Sequence, residues 1–210
     1  MKPDSIFRNY ELLVDKAEIA FRDIAKQYPQ EVKCELHCDD CCHAVFGLFL
    51  IEAAYIKGQF DRLDPHAIRE ALSRCSDAER ALRRLEVKLQ RYEEYPEAQS
   101  YIFASERIRC PLLSEQGECI IYEHRPITCR VYGIPTKIQG KTRVCGRSGF
   151  EKDKSYRGFD LDGVYQQLFL LSREFLMDYE GADPQKAGLL LSVPKVLTTP
   201  VEIIISESFV

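Results

Sequence analysis

Apolar residues recur at helical spacing from near the start of the chain. Ile6, Tyr10, Leu13, Val14, Ala17, Phe21 and Ile24 share one face, Asp4 and Ser5 stand where a cap is needed, and Pro29 follows. The pattern predicts a helix running to about Gln27. From Ala44 to Ile56 the chain is apolar almost throughout, which predicts a second helix from about Cys41 to Lys57, capped by Asp39 or Asp40 and stopped by Gly58. Asp64-Pro65 supplies a cap followed by proline at the first helical position, and a third helix is expected from there to about Tyr92, before Pro96 interrupts. On it Ile68, Cys75, Leu82 and Leu89 recur every seven residues, with Ala71, Ala78, Leu85 and Tyr92 as companions among Arg, Lys and Glu. This is one arm of a helical hairpin or a coiled-coil seam, because an isolated helix of this length is not stable on propensity alone.

The pattern then breaks. Across 107–149, Pro, Gly and Cys become frequent and the apolar runs short, predicting an irregular module with a small hairpin over Gly133–Cys145. A further helix is expected from about Asp162 to Tyr179, with Val164, Leu168, Leu171 and Phe175 on one face. In the tail, the β-prone run Val201–Ile205 predicts a short strand or an ordered extension.

Composition narrows the function. The 210 residues are 45% hydrophobic and 30% charged, enough to bury a core, and the net charge of -4 gives no reason to expect nucleic acid. The run Ala44–Ile56 is too short to span a bilayer and contains Glu52, so no membrane attachment is expected. Met1-Lys2-Pro3-Asp4-Ser5 lacks the apolar stretch of a signal peptide, and a cytoplasmic location is the expectation. In a reducing compartment nine cysteines read as metal or redox chemistry rather than as a disulfide framework.

Two groups carry that chemistry. The first is Cys34-Glu-Leu-His-Cys38-Asp-Asp-Cys41-Cys42; the second is Cys110, Cys119, Cys129 and Cys145. Thiolates are soft ligands for zinc and iron–sulfur clusters, and several must converge. Placed in the first turn of the second helix, Cys41 and Cys42 would have their thiol pKa lowered by the macrodipole. Their side chains would diverge by about 100°, so either the centre is polynuclear or one of the pair has another task. Arg125 and Arg130, flanking Cys129, are expected to bring positive charge and N–H donors to the thiolates. Cys75, at an apolar heptad position, reads as core packing. His37 and His43 flank the candidate ligands, and either is able to replace a cysteine on zinc.

Cys34–Cys42, followed by Cys110-Pro-Leu-Leu, then Cys119 through Arg125-Pro-Ile-Thr-Cys129-Arg130 and finally Cys145, resembles the YkgJ-type cysteine-cluster family, named for a CxxCxxCC motif. The resemblance implies a zinc- or iron-chelating centre and no settled reaction. Here three residues, not two, separate Cys34 from Cys38. A more distant similarity is to flagellin lysine methylases. Cys34-x3-Cys38-x2-Cys41 also has the spacing of radical S-adenosylmethionine enzymes, but the helices that follow, without alternating strands, argue against their βα barrel.

The expected architecture is mainly α: a helical bundle with an irregular, loop-rich cysteine metal-binding subdomain. One cysteine-cluster domain would span 1–210, with 61–96 a long helical insertion and 107–150 the second half of the metal site. Three functions follow. The first is a protein holding a [4Fe–4S] cluster in a redox or accessory role. The second is a structural zinc module in an interaction protein, meeting a partner or a second copy through helix 65–94. The third is a protein-modifying enzyme related to the methylases.

Overall fold

The computed structural model describes residues 3–35, 37–151, 154–179 and 182–206. Among these the chain is mainly helical, with one small sheet. Helix α1 (Pro3–Gln27) is the first helix the periodicity predicts. Ile6, Tyr10, Leu13, Ala17 and Ile24 are buried and form the single stripe that such a helix turns to a core. The helix already includes Asp4 and Ser5, starting at Pro3.

The second helix differs from expectation. α2 (Leu50–Phe60) starts at Leu50 rather than Cys41, and it passes Gly58. Asp40–His43 form a 3-10 turn instead, and 44–49 are pulled straight by bridges from Ala44 to Arg107 and from Leu48 to Leu191. Leu48 and Leu191 exchange backbone hydrogen bonds of 2.8 and 2.9 Å. Gly47 abuts the next strand of chain, where an added Cβ would meet that of Leu190 at 2.5 Å. α2 is buried on nearly all sides, with Leu50, Ile51, Glu52, Ala53, Ala54, Ile56 and Phe60 in the interior. It packs on α6 (Leu161–Met177), which packs in turn on α1, making the bundle. The buried Ser172 hydroxyl of α6 accepts the Ile51 amide at 3.1 Å, satisfying a helix-end donor.

α3 (Pro65–Gln90) starts at the expected cap, where Asp64 accepts the His66 amide at 2.8 Å. Ala71, Cys75, Ala78 and Leu85 are buried, Leu82 is half-buried and Tyr92 exposed. This seam closes on α4 (Pro96–Ser105) and α7 (Val193–Thr198) of the same chain. α4 is absent from the sequence reading: Pro96 starts it at the first helical positions, a role proline fills as well as that of breaker.

In the irregular module, α5 (Ile127–Arg130) is a single turn. β1 (Thr136–Ile138) and β2 (Lys141–Arg143) make the expected hairpin, and β3 (Phe159–Asp160) joins β1 in parallel. The hairpin turn takes positive φ at Gln139 (52°) and Gly140 (68°). Asp162 at the start of α6 accepts both of their amides, at 2.9 and 3.2 Å. The tail is helical, correcting the strand or extension expected at Val201–Ile205: α7 is followed by α8 (Val201–Ser206). The Pro200 carbonyl accepts the Ile203 and Ile204 amides, and Ile204 and Ile205 are buried, so local hydrogen bonding and burial override β propensity. Among the described residues, no helix is long and apolar enough to cross a membrane.

Candidate metal centre

Backbone pairing joins the two cysteine groups. Cys110 donates its amide to the Cys42 carbonyl at 2.7 Å and Ile108 to that of His43 at 3.0 Å, beside the Ala44–Arg107 bridge. The chain then folds back through Gly117, whose φ of +79° suits glycine, and Leu113 pairs with Cys119. That turn returns Cys119 to the neighbourhood of Cys110. A 3-10 turn at Tyr122–His124 and Pro126 lead into α5, which carries Cys129.

Cys41, Cys42, Cys110, Cys119 and Cys129 line one cavity, walled mainly by apolar side chains such as Phe46, Ile56, Leu82 and Ile121. Four of these thiols shift one another's acidity. Cys41 is held well below the ordinary thiol range, first by a hydrogen bond from Cys129 and then by one from Cys42. Cys119 is lowered by a hydrogen bond from Cys42. The donors move oppositely: Cys42 is raised by donating to Cys119 and Cys41, and Cys129 by donating to Cys41 and by burial. Lowered thiols at Cys41 and Cys119 therefore alternate with raised ones at Cys42 and Cys129. Cys110 is pushed up by burial to about 12.

The other three candidates sit apart from these five. Cys34, Cys38 and Cys145 line a smaller pocket with Asp40, Tyr132 and Arg147, and Cys41 lies on the wall common to both. Burial raises Cys34 to about 12, with Cys38 and Cys41 nearby adding to the shift. Burial raises Cys145 to about 11, and so does the hydrogen bond it donates to Asp40 Oδ2 at 3.1 Å. Because Cys41 and Cys42 occupy a 3-10 turn, the macrodipole of a long helix is not what lowers Cys41; its neighbouring thiols are.

The two arginines part company. Arg125 lines the larger cavity, stacks over the Tyr122 ring at 3.9 Å and lies 3.7 Å from Glu18. Its Nε is buried without a hydrogen-bond partner. Arg130 directs its guanidinium away from the thiols, to Glu18 Oε1 at 2.6 Å and to the carbonyls of Arg125 and Glu123, and so ties the loop to α1. His43 bonds the Asp39 carbonyl at 3.2 Å and His37 lies 3.5 Å from Glu118 at the surface. Cys75 is buried in the core, its thiol 3.4 Å from the Ala71 carbonyl.

Several residues here escaped the sequence reading. Glu52, 2% exposed, accepts the Ile127 amide at 3.1 Å and the Phe49 amide at 3.4 Å, fixing the loop that presents Cys129. Burial raises it to about 7. A lone carboxylate in an apolar run was its signal. Asp40, read only as a cap, is 6% exposed and belongs to the smaller pocket. Gly133 touches Cys34: a Cβ there would lie 2.5 Å from the Cys34 Cβ.

Among the described residues, no three His, Cys, Asp or Glu side chains already stand close enough around one point to hold an ion. The five inner sulfurs surround a volume instead. All nine cysteines are free. In donor chemistry and charge the inner residues fit a thiolate-bound anionic group: soft sulfur ligands, two of them with lowered pKa, with an unpartnered guanidinium N–H on the same wall. A family model named CxxCxxCC and described as "Putative zinc- or iron-chelating domain" matches residues 33–146. No curated protein and no solved structure matches the chain.

Proposed function

The chain belongs to the CxxCxxCC family of zinc- or iron-chelating domains, and from that premise we propose that it holds a [4Fe–4S] cluster on cysteines of the inner cavity and serves in a redox or accessory role. The observation that carries this reading is that Cys41, Cys42, Cys110, Cys119 and Cys129 line a cavity rather than meet at a point. A single zinc ion needs four donors about 2.3 Å from one centre. A cubane spreads its four thiolate bonds over separate irons, which suits adjacent Cys41 and Cys42 pointing to different atoms. Four of the five inner cysteines would ligate, and Cys34, Cys38 and Cys145 would serve a neighbouring site.

When bound, such a cluster supplies one-electron transfer. The chain's own residues do the rest. Hydrogen bonding lowers Cys41 and Cys119 and raises Cys42 and Cys129, and ligation would release the protons that the thiols still hold. The Arg125 guanidinium, on the wall of the same cavity, offsets the negative charge. Phe46, Ile56, Leu82 and Ile121 exclude water from the thiols. Glu52 holds the Ile127 amide and with it the Cys129 turn.

Iron, sulfide and zinc content after oxygen-free purification tests this. The expected result is a brown protein with about four irons and four sulfides per chain. A colourless chain containing zinc alone would overturn the iron assignment in favour of a structural zinc module, and a chain free of metal would overturn both. Cys42→Ser and Cys129→Ser, made separately, should each lower the metal content.

A further inference from the structure

The smaller pocket has a chemistry of its own. Asp40 brings a buried carboxylate, with Oδ2 facing Cys145 Sγ at 3.1 Å. Oδ1 takes Arg107 Nη2 at 2.5 Å and lies 3.4 Å from Arg147 Nε. These guanidinium groups offset the negative charge that a carboxylate and several thiolates would gather. Backbone packing shapes the opposite wall: at Gly133 a Cβ would come within 2.5 Å of Cys34 Cβ and 3.2 Å of its Sγ, so only glycine leaves Cys34 its place. Among the described residues no carboxylate lines the inner cavity, whereas this one pairs sulfur with a carboxylate oxygen, a combination suited to a borderline divalent ion such as Zn²⁺ or Fe²⁺.

We propose that this pocket is a second, separate cation site, taking one divalent transition-metal ion on Cys34, Cys38, Cys145 and the Asp40 carboxylate. The assignment rests on the reading that the inner thiols hold their own centre. Cys41 stands on the shared wall, so an ion in the outer pocket lies one thiolate from the inner site. The oxygen donor and the open, charged rim make the outer ion the more exchangeable of the two. The donors surround a space rather than a point, as expected where the ion itself draws its ligands together.

The test counts metal at each place. Protein purified without oxygen is analysed for iron, sulfide and zinc, then titrated with Co²⁺ while the visible d–d bands and the near-ultraviolet thiolate-to-cobalt band are followed. One equivalent beyond the inner metal is expected, present as zinc at isolation or taken up as tetrahedral cobalt. Asp40→Asn and Cys145→Ser should each weaken that equivalent by about tenfold or more and leave iron and sulfide at the wild-type level. Cys119→Ser should do the reverse, losing inner metal and keeping the outer equivalent. Unchanged outer metal in both Asp40→Asn and Cys145→Ser, or no metal beyond the inner centre in the wild type, overturns the proposal. If Cys119→Ser and Cys129→Ser keep all their metal, the inner assignment fails instead, and the two failures are thereby told apart. Should Asp40→Asn not fold, the Cys145→Ser spectrum alone decides.

Discussion

Helices α1, α2 and α6 bury unbroken apolar stripes against one another, whereas the module from 107 to 150 buries scattered residues such as Leu112, Ile121, Ile127 and Val131. The bundle's backbone is satisfied within its helices. The module's backbone leans on the rest of the chain: on the 42–44 segment, on the Glu31 carbonyl that accepts the Gly149 amide at 2.7 Å, and on carboxylates reaching out from α1 and α2. One region is self-supporting and the other is hung from it. The module therefore has more to gain from a metal, since thiolate bonds supply cohesion that its small core does not.

Metal removal probes this contrast hardest. Structural thiolate sites contribute roughly 10 kcal/mol of apparent stability in small domains, so stripping the protein with a chelator should abolish amide-exchange protection across 108–145. α1 and α6 should keep theirs. Equal loss in both regions, or loss in neither, would show that bundle and module are a single cooperative body. Next in size is Glu52, the carboxylate linking them. Glu52→Ala strands the Ile127 and Phe49 amides and should cost about 3 kcal/mol in chemical denaturation.

Glu52 also makes the link depend on pH. Burial raises it from 4.5 to about 7 in the folded protein, so the native state binds its proton more tightly than the unfolded one. Its contribution is thus fully present below about pH 4.5 and is lost as pH rises through about 7, by up to about 3 kcal/mol. Two charges that would face it, the phenolates of Tyr10 and Tyr165, are themselves raised, mainly by burial, and stay neutral there. Glu52→Gln should flatten the slope between pH 5 and 7 relative to wild type. Parallel slopes would place the ionisation elsewhere.

Much of the bundle was legible in the sequence, because α1, α3 and α6 carry their periodicity locally. Ile6 to Ile24 and Ala71 to Leu85 report the buried face without reference to any partner. The segment from Cys41 to Phe49 was not legible: an apolar run reads alike as buried helix or extended chain, and here remote partners, Arg107 and Leu191, decide. The same holds for Val201–Ile205, where burial overrode β propensity. At the site, the kind of chemistry could be read from cysteine spacing. The division of the cysteines between two cavities could not, because it depends on the hairpin that returns Cys119 and on Asp40. Arg125 and Arg130 look equivalent in sequence, yet Glu18 and two carbonyls take up the second.

Two glycines sharpen the comparison at smaller scale. Gly58, inside α2, has nothing within 4 Å of an added Cβ. Gly58→Ala should therefore stabilise by roughly 0.5–1 kcal/mol. Gly133→Ala, in the module, forces a Cβ against Cys34 and should destabilise by about 2 kcal/mol. Thermal unfolding measures both, and mass-resolved alkylation should show Cys34 reacting faster in Gly133→Ala. Matching signs for the two substitutions would mean that the module is as forgiving as the bundle.

The smallest effect belongs to Glu18. It reaches from α1 to Arg130 at 2.6 Å and stands 3.7 Å from Arg125, with its side chain 31% exposed. Arg130 is 7% exposed and also bonds two carbonyls of the loop, so the pair is half in water and half in protein. Solvent screening limits such a pair, and Glu18→Gln, which keeps an acceptor and removes the charge, should cost about 1 kcal/mol. Salt should shrink that difference, because only the charged form is screened. A double-mutant cycle with Arg130→Lys isolates the coupling from the backbone bonds that Arg130 makes on its own account. If the coupling is nil at low salt, α1 does not hold the Cys129 turn through charge, and Glu52 is left as the tie between helix and loop.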